Sequence, residues 1–172
     1  MINFYYNEET FTLLIPELEP FLKGYELDFL IDLGIVLLAG FIIGTERESK
    51  GKPAGISTHT LVIGGSMIFT FLSSQIDPTS TSRIAAQIVS GIGFLGAGVI
   101  LKGEVTGRTK SEVHASSYKV VNLTTAASLW FSGAIGMAIG FNYHFLALVS
   151  VGFVVLVSHL PKIKKIEATN DD

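Results

Sequence analysis

Four stretches of the chain lack Asp, Glu, Lys and Arg altogether: Leu33 to Thr45, His59 to Ile76, Ile84 to Leu101 and Val120 to Pro161. A helix that crosses a bilayer needs about 20 mostly apolar residues, within a range of about 17 to 25. The first stretch reaches that length by starting near Phe29 and admitting Asp32. The last is long enough for two spans, and Asn142, Tyr143 and His144 form a polar break inside it, which predicts a tight helical hairpin. The pattern therefore predicts an all-α fold, a polytopic bundle of five membrane helices. They run over Phe29 to Thr45, His59 to Gln75, Ile84 to Leu101, Thr124 to Phe141 and Phe145 to Leu160.

Charge supplies an independent test of that count. Five spans put the first connection, the third connection and the C-terminal tail on one side. That side holds Arg47, Lys50, Lys52, Lys102, Arg108, Lys110, Lys119, Lys162, Lys164 and Lys165, and the other holds Lys23 and Arg83. The positive-inside rule then places the N-terminus outside and the C-terminus in the cytoplasm. Four or six spans would move a basic segment across and spoil the asymmetry. Composition agrees: of 172 residues 48% are hydrophobic and 16% charged, and the mean hydropathy is +0.50, where a globular chain carries about 25% charge.

Three regions follow: an acidic N-terminal segment over 1–28, a membrane domain over 29–160 and a short charged cytoplasmic tail over 161–172. The first residues, MINFYYNEET, lack the basic start of a cleaved signal peptide. Phe11 to Leu22 is too short to span and is expected at the outer interface; its acidity opposes adhesion to anionic lipid. With no cysteine in the chain there are no disulfides, thiolate nucleophiles or Cys-ligated metals.

The third predicted helix carries Gly91, Gly93, Gly96 and Gly98. These letters include G-x-G-x-x-G, but a dinucleotide fingerprint needs a strand before it and a βαβ unit around it. RIAAQIVS has helical spacing instead, so no nucleotide is expected, and nothing in the pattern calls for nucleic acid. In a bilayer, small residues let helix backbones approach where no hydrophobic effect drives them together. Ala86, Ser90, Gly93 and Ala97 form such a stripe; Arg83, Gln87, Gly91, Phe94 and Gly98 lie beside it. Thr125, Ser128, Ser132, Gly136 and Gly140 repeat the device on the fourth helix, and Gly40 and Gly44 are a G-x-x-x-G pair on the first. Helices one, three and four are thus expected to form the tight core, or to present faces for a homo-oligomer.

Ionisable and polar groups at bilayer depth are the functional candidates, because they are expensive there and usually paired or facing water. Asp32, Asp77, Arg83 and Gln87 are expected near the outer surface, where either carboxylate could pair with Arg83. Glu46, Arg47, Thr58, His59, Asn122, Thr124 and Thr125 are expected at the inner surface, with Thr124 as a helix N-cap and His59 at headgroup level. Asp32 and Asp77 are the candidates for a metal, since hard divalent cations take carboxylate oxygens. The four histidines, at 59, 114, 144 and 159, lack ligand spacing and are expected in loops or at the interface. No cofactor and no enzymatic activity are expected.

Several strings carry a family resemblance: FIIGTERESKGKPAG from Phe41, the TH of Thr58 and His59, the Asp77 and Pro78 pair, RIAAQIVSGIGFLGAGVIL from Arg83, and LTTAASLW from Leu123 to Trp130. Over about Asp28 to Leu160 the chain resembles the MgtC/SapB family of bacterial inner-membrane proteins. The resemblance implies a regulatory membrane protein tied to adaptation to low magnesium or stress, acting through membrane-protein partners, among them the ATP synthase for some relatives. Its alternative implication is a transporter or channel for magnesium or another ion. Carried over by position, the family's characteristic residues are Glu46, Arg47, Asp77, Arg83, Gln87, Gly91, Gly93, Gly96, Gly98, Thr125 and Trp130. Ser57 stands where the family commonly has arginine, and Val121 and Asn122 replace an Arg-Gly pair. The third connection, Lys102 to Asn122, is longer than expected. Many members continue into an ACT-like soluble domain, which a chain ending at Asp172 is expected to lack.

Overall fold

The computed structural model describes residues 25–101 and 121–160. Within them lie five helices: α1 (Tyr25–Ser49), α2 (Ile56–Ile76), α3 (Ser82–Leu101), α4 (Leu123–Gly140) and α5 (His144–Ser158). The first four are long and apolar enough to cross a membrane, and α5 is a shorter apolar helix. The N-terminal acidic segment up to residue 24, the third connection over 102–120 and the tail from 161 lie outside the described residues.

The polar breaks end helices by a specific device. After α1, Gly51 takes a left-handed φ of +61°, and the N–H groups of Gly51 and Lys52 reach back to the carbonyls of Glu48 (2.9 Å) and Arg47 (3.0 Å). After α4, Asn142 takes φ 62°, with Asn142 and Tyr143 donating to Ile139 and Ala138, each at 2.8 Å. Both are Schellman closures, which satisfy carbonyls a helix end would otherwise strand. In the second the left-handed residue is asparagine, which tolerates that conformation better than most. The predicted hairpin at Asn142 to His144 is therefore present, with α5 beginning at His144.

Close approaches set the register. Val36 faces Gly64, Gly40 faces Thr60 and Gly44 faces Ile56, so α1 and α2 run antiparallel. His59 meets Ser128, Gly136 meets Ile63 and Ser66, and Gly140 meets Met67 and Thr70, so α2 and α4 run parallel. Gly96 lies against Ala126 and Gly133 against Ile92, which makes α3 antiparallel to α4. α5 returns antiparallel to α4, with the Phe131 and Phe153 rings 5.7 Å apart, and parallel to α1.

The most enclosed helix is α4, which touches all four others, and α2 is clasped between α1 and α4. A Cβ on Gly140 would sit 2.6 Å from the Met67 carbonyl oxygen, and one on Gly40, Gly44 or Gly136 would overlap α2 outright. The core of Val36, Ala39, Ile43, Ile63, Met67, Ile135 and Ile139, continued by Ala147, Val151 and Val154, draws on α1, α2, α4 and α5 and on none of α3. This corrects the expected core of helices one, three and four. The third helix buries Ile88, Ile92 and Gly96, chiefly against α4, and among the described residues a Cβ on Gly91, Gly93 or Gly98 would find no atom within 4 Å.

Candidate functional site

Along the α2–α4 contact the bundle interior is polar. From α2 come His59, Ser66, Thr70 and Ser73, and from α4 Thr125, Ser128 and Ser132, all buried. The expected small-residue stripe on the fourth helix is this second row, and it meets α2. The α2 row recurs at intervals of seven, four and three residues, the spacing of one helical face. That spacing is itself a sequence signal, and it sets His59 on one face with the three hydroxyls.

His59 is fully buried in the bundle, in the first turn of α2. Its Nδ1 lies 2.9 Å from the Gly55 carbonyl and its Nε2 3.2 Å from Ser128 Oγ. A carbonyl can only accept, so in a neutral ring Nδ1 carries the proton and Nε2 accepts from the Ser128 hydroxyl. The same hydroxyl is within donating distance of the Thr125 carbonyl, at 2.9 Å, so its one proton serves either acceptor. His59 thereby locks the start of α2 to α4. The hydroxyls of Thr70, Thr125 and Ser132 find no partner among the described residues.

Toward the other end, Asp32 is 2% exposed and its Oδ1 lies 2.6 Å from His144 Nε2. Register makes this pair: α1 and α5 run parallel, which brings the start of α5 level with Asp32. Arg83 takes neither expected carboxylate. Asp77 closes α2, and its Oδ1 accepts from the Thr79 N–H (3.2 Å) and hydroxyl (2.7 Å). Asp77, Arg83 and Gln87 do come together around a recess of about 560 Å³, but Arg83 is exposed and forms no ion pair among the described residues. Asp32 and Asp77 are thus separately engaged. No group of three His, Asp or Glu side chains able to hold a metal gathers among the described residues.

At the basic end, Glu46 Oε1 and Oε2 approach Lys50 Nζ (2.6 Å) and Arg47 Nε (2.9 Å). The Arg47 contact is close in distance without hydrogen-bond alignment. Glu48 Oε1 caps α2 from across the turn by accepting from the Ile56 N–H at 2.9 Å. Asn122, and not Thr124, is the N-cap of α4, in a left-handed conformation, with its side-chain amide 3.5 Å from the Val99 carbonyl of α3. Thr125 is fully buried and Trp130 half exposed.

Between α2 and α3 the chain opens. A groove of about 680 Å³ runs along their length, apolar apart from Ser57, Thr58, Ser66 and Gln87, with Gly65, Gly91 and Leu95 in its walls. It adjoins the open glycine face of α3.

An all-helical bundle with several apolar spanning helices, hydroxyl-rich inside and glycine-rich on an exposed helix, is a multi-pass membrane protein. The profile of the MgtC family matches residues 33–166. The chain is 37% identical over 132 residues to Protein MgtC of Salmonella typhimurium (strain LT2), covering 77% of this chain and 51% of that protein. It is 41% identical over 128 residues to Protein MgtC of Brucella abortus (strain 2308), covering 74% and 48%. It belongs to the MgtC family. The chain spans about half the length of these curated relatives. No solved structure matches it.

Proposed function

We propose that this chain is a non-catalytic regulatory protein of the bacterial inner membrane, working by lateral association with other membrane proteins. The observation that carries this reading is the placement of α3. The helix with the family's most distinctive string docks by one edge and turns Gly91, Gly93 and Gly98 to open space. Glycine costs about 1 kcal/mol per helix position relative to alanine, and among the described residues no packing at these glycines offsets it. Gly91 and Gly98 flank the docked edge on one side and Gly93 on the other, so a partner helix on either flank would recover part of that cost through backbone contact.

Register supports the orientation with the N-terminus outside. It gathers Arg47, Lys50 and Lys52, the end of α3 before Lys102, and the end of α5 before Lys162 at one pole of the bundle. The link to magnesium scarcity comes from the family resemblance. Association makes a sharp prediction: Gly93→Leu leaves the bundle folded, since a Cβ there has no described atom within 4 Å, yet strips a co-purifying membrane complex in mild detergent. Retention of the complex at wild-type yield overturns the assignment to this face.

The second reading, conduction of magnesium or another ion, has the buried hydroxyl row of α2 and α4 in its favour. It predicts uptake into proteoliposomes above protein-free vesicles, reduced by Asp32→Asn. Absence of flux in folded, inserted protein eliminates it.

A further inference from the structure

At the basic pole, α4 and α5 part to leave a second groove of about 620 Å³ beside the α1–α2 connection. Its chemistry is graded along the bundle. Arg47, near the end of α1, and Lys50 and Lys52, in the connection, supply cations at the pole. Farther in the walls are apolar: Phe131 lies seven residues beyond Thr124 along α4, about 10 Å of helix, and its ring meets that of Phe153. Phe153 and Val157 are also about half exposed on the outer surface of α5, so the apolar part is continuous with the surface offered to acyl chains.

The cations are incompletely answered. Glu46 is the carboxylate against Arg47 and Lys50, while that of Glu48 is committed to the start of α2. Lys52 makes no ion pair among the described residues. Arg47 is 6% exposed and lines the groove, and its buried Nε makes no hydrogen bond among the described residues, Glu46 Oε2 lying 2.9 Å away out of alignment. A guanidinium carries five N–H donors, and leaving such a group buried without acceptors is costly. An anion entering at this pole would meet them.

We infer that this groove binds one anionic glycerophospholipid, with its phosphate at Arg47 and Lys52 and an acyl chain against Phe131, Phe153 and Val157. Basic pockets between membrane helices suit such headgroups. A free phosphate would satisfy the cations but leave the aromatic floor uncovered, whereas the lipid matches both parts at the depth where each lies. Lys50, which donates to the Ser158 carbonyl, holds the connection across to α5 and so keeps the cations at the pole of the groove.

The test uses the whole chain purified in nonionic detergent, with lipid retention counted by native mass spectrometry and the thermal midpoint followed in parallel. Phosphatidylglycerol, phosphatidylcholine and inorganic phosphate are the probes. Phosphatidylglycerol is expected to be retained and to raise the midpoint, with the other two doing neither. Lys52→Gln is expected to weaken phosphatidylglycerol retention about fivefold, the effect of one cation near an anionic headgroup. Val157→Trp, on a half-exposed position, is expected to displace the lipid by filling the groove while the helix content is kept. Equal retention of the two lipids, equal stabilisation by inorganic phosphate, or a phosphatidylglycerol preference untouched by both variants overturns the proposal.

Discussion

The Gly136→Leu variant is expected to lose its native fold in detergent. At this position α4 lies directly on the backbone of α2: a Cβ would overlap the Ile63 carbonyl and stand 2.7 Å from Ser66 Cβ. Neither neighbour is a flexible side-chain end. Accommodating even one methyl means moving α4 off α2, which also parts His59 from Ser128. Overpacking a tight interior costs about 1 to 3 kcal/mol, occasionally more, so Gly136→Ala is expected near the upper end of that range and Gly136→Leu beyond it. The measurement is the folded fraction across a denaturing-detergent titration. Gly93→Leu, one of the same residue type on α3, serves as the contrast and is expected to shift the midpoint little. Equal destabilisation by the two leucines would mean that α3 and α4 are packed alike, contrary to the structure.

Removing the imidazole of His144 is expected to be the next most damaging change. Asp32 is almost wholly buried and His144 is its polar partner, so His144→Ala strands a carboxyl group inside the bundle. Leaving a buried polar group without its partner costs about 1 to 3 kcal/mol. The imidazole itself is over a third exposed, which moderates the loss. Asp32→Ala removes the stranded group, so the double variant Asp32→Ala with His144→Ala is expected to be more stable than His144→Ala alone. A strictly additive pair in the same titration would show that the contact contributes nothing. This result also bears on flux: loss of transport in Asp32→Asn counts as conduction chemistry only if the variant keeps its fold.

Hydropathy sufficed for the five helices, and Asn142 to His144 marked the hairpin, because both depend on local chemistry: a run too apolar for water, and a residue able to take a left-handed turn. Pairing of the helices was not legible in the same way. A G-x-x-x-G pair shows that a face is flat, not what lies on it. Gly40 and Gly44 are matched on α2 by Thr60 and Ile56, and Gly136 and Gly140 by Ile63 and Met67, none of which looks like a complementary motif. In water a helix's buried face can be read from its apolar stripe; in lipid both faces are apolar, and that contrast disappears. On α3 the small positions Gly91, Gly93 and Gly98 meet no described neighbour. Of the polar candidates expected near the outer surface, Asp77, Arg83 and Gln87 line one recess, as their closeness in sequence allows. The Asp32 to His144 contact spans 112 residues, and only the register of α1 with α5 creates it.

The length of α5 has a mechanical consequence for the surrounding bilayer. Its 15 residues span about 22 Å at 1.5 Å per residue, short of a hydrocarbon core about 30 Å thick, whereas α1 beside it has 25 residues. The protein therefore has one tall wall and one low wall. Lipid along the low wall must thin, at a cost of fractions of a kcal/mol per Å of mismatch, and that elastic strain is confined to one side of the perimeter. Thinner membranes relieve it, and so does a neighbour whose own short helix settles against α5, giving the protein a preferred side on which to meet others before any side chain has touched.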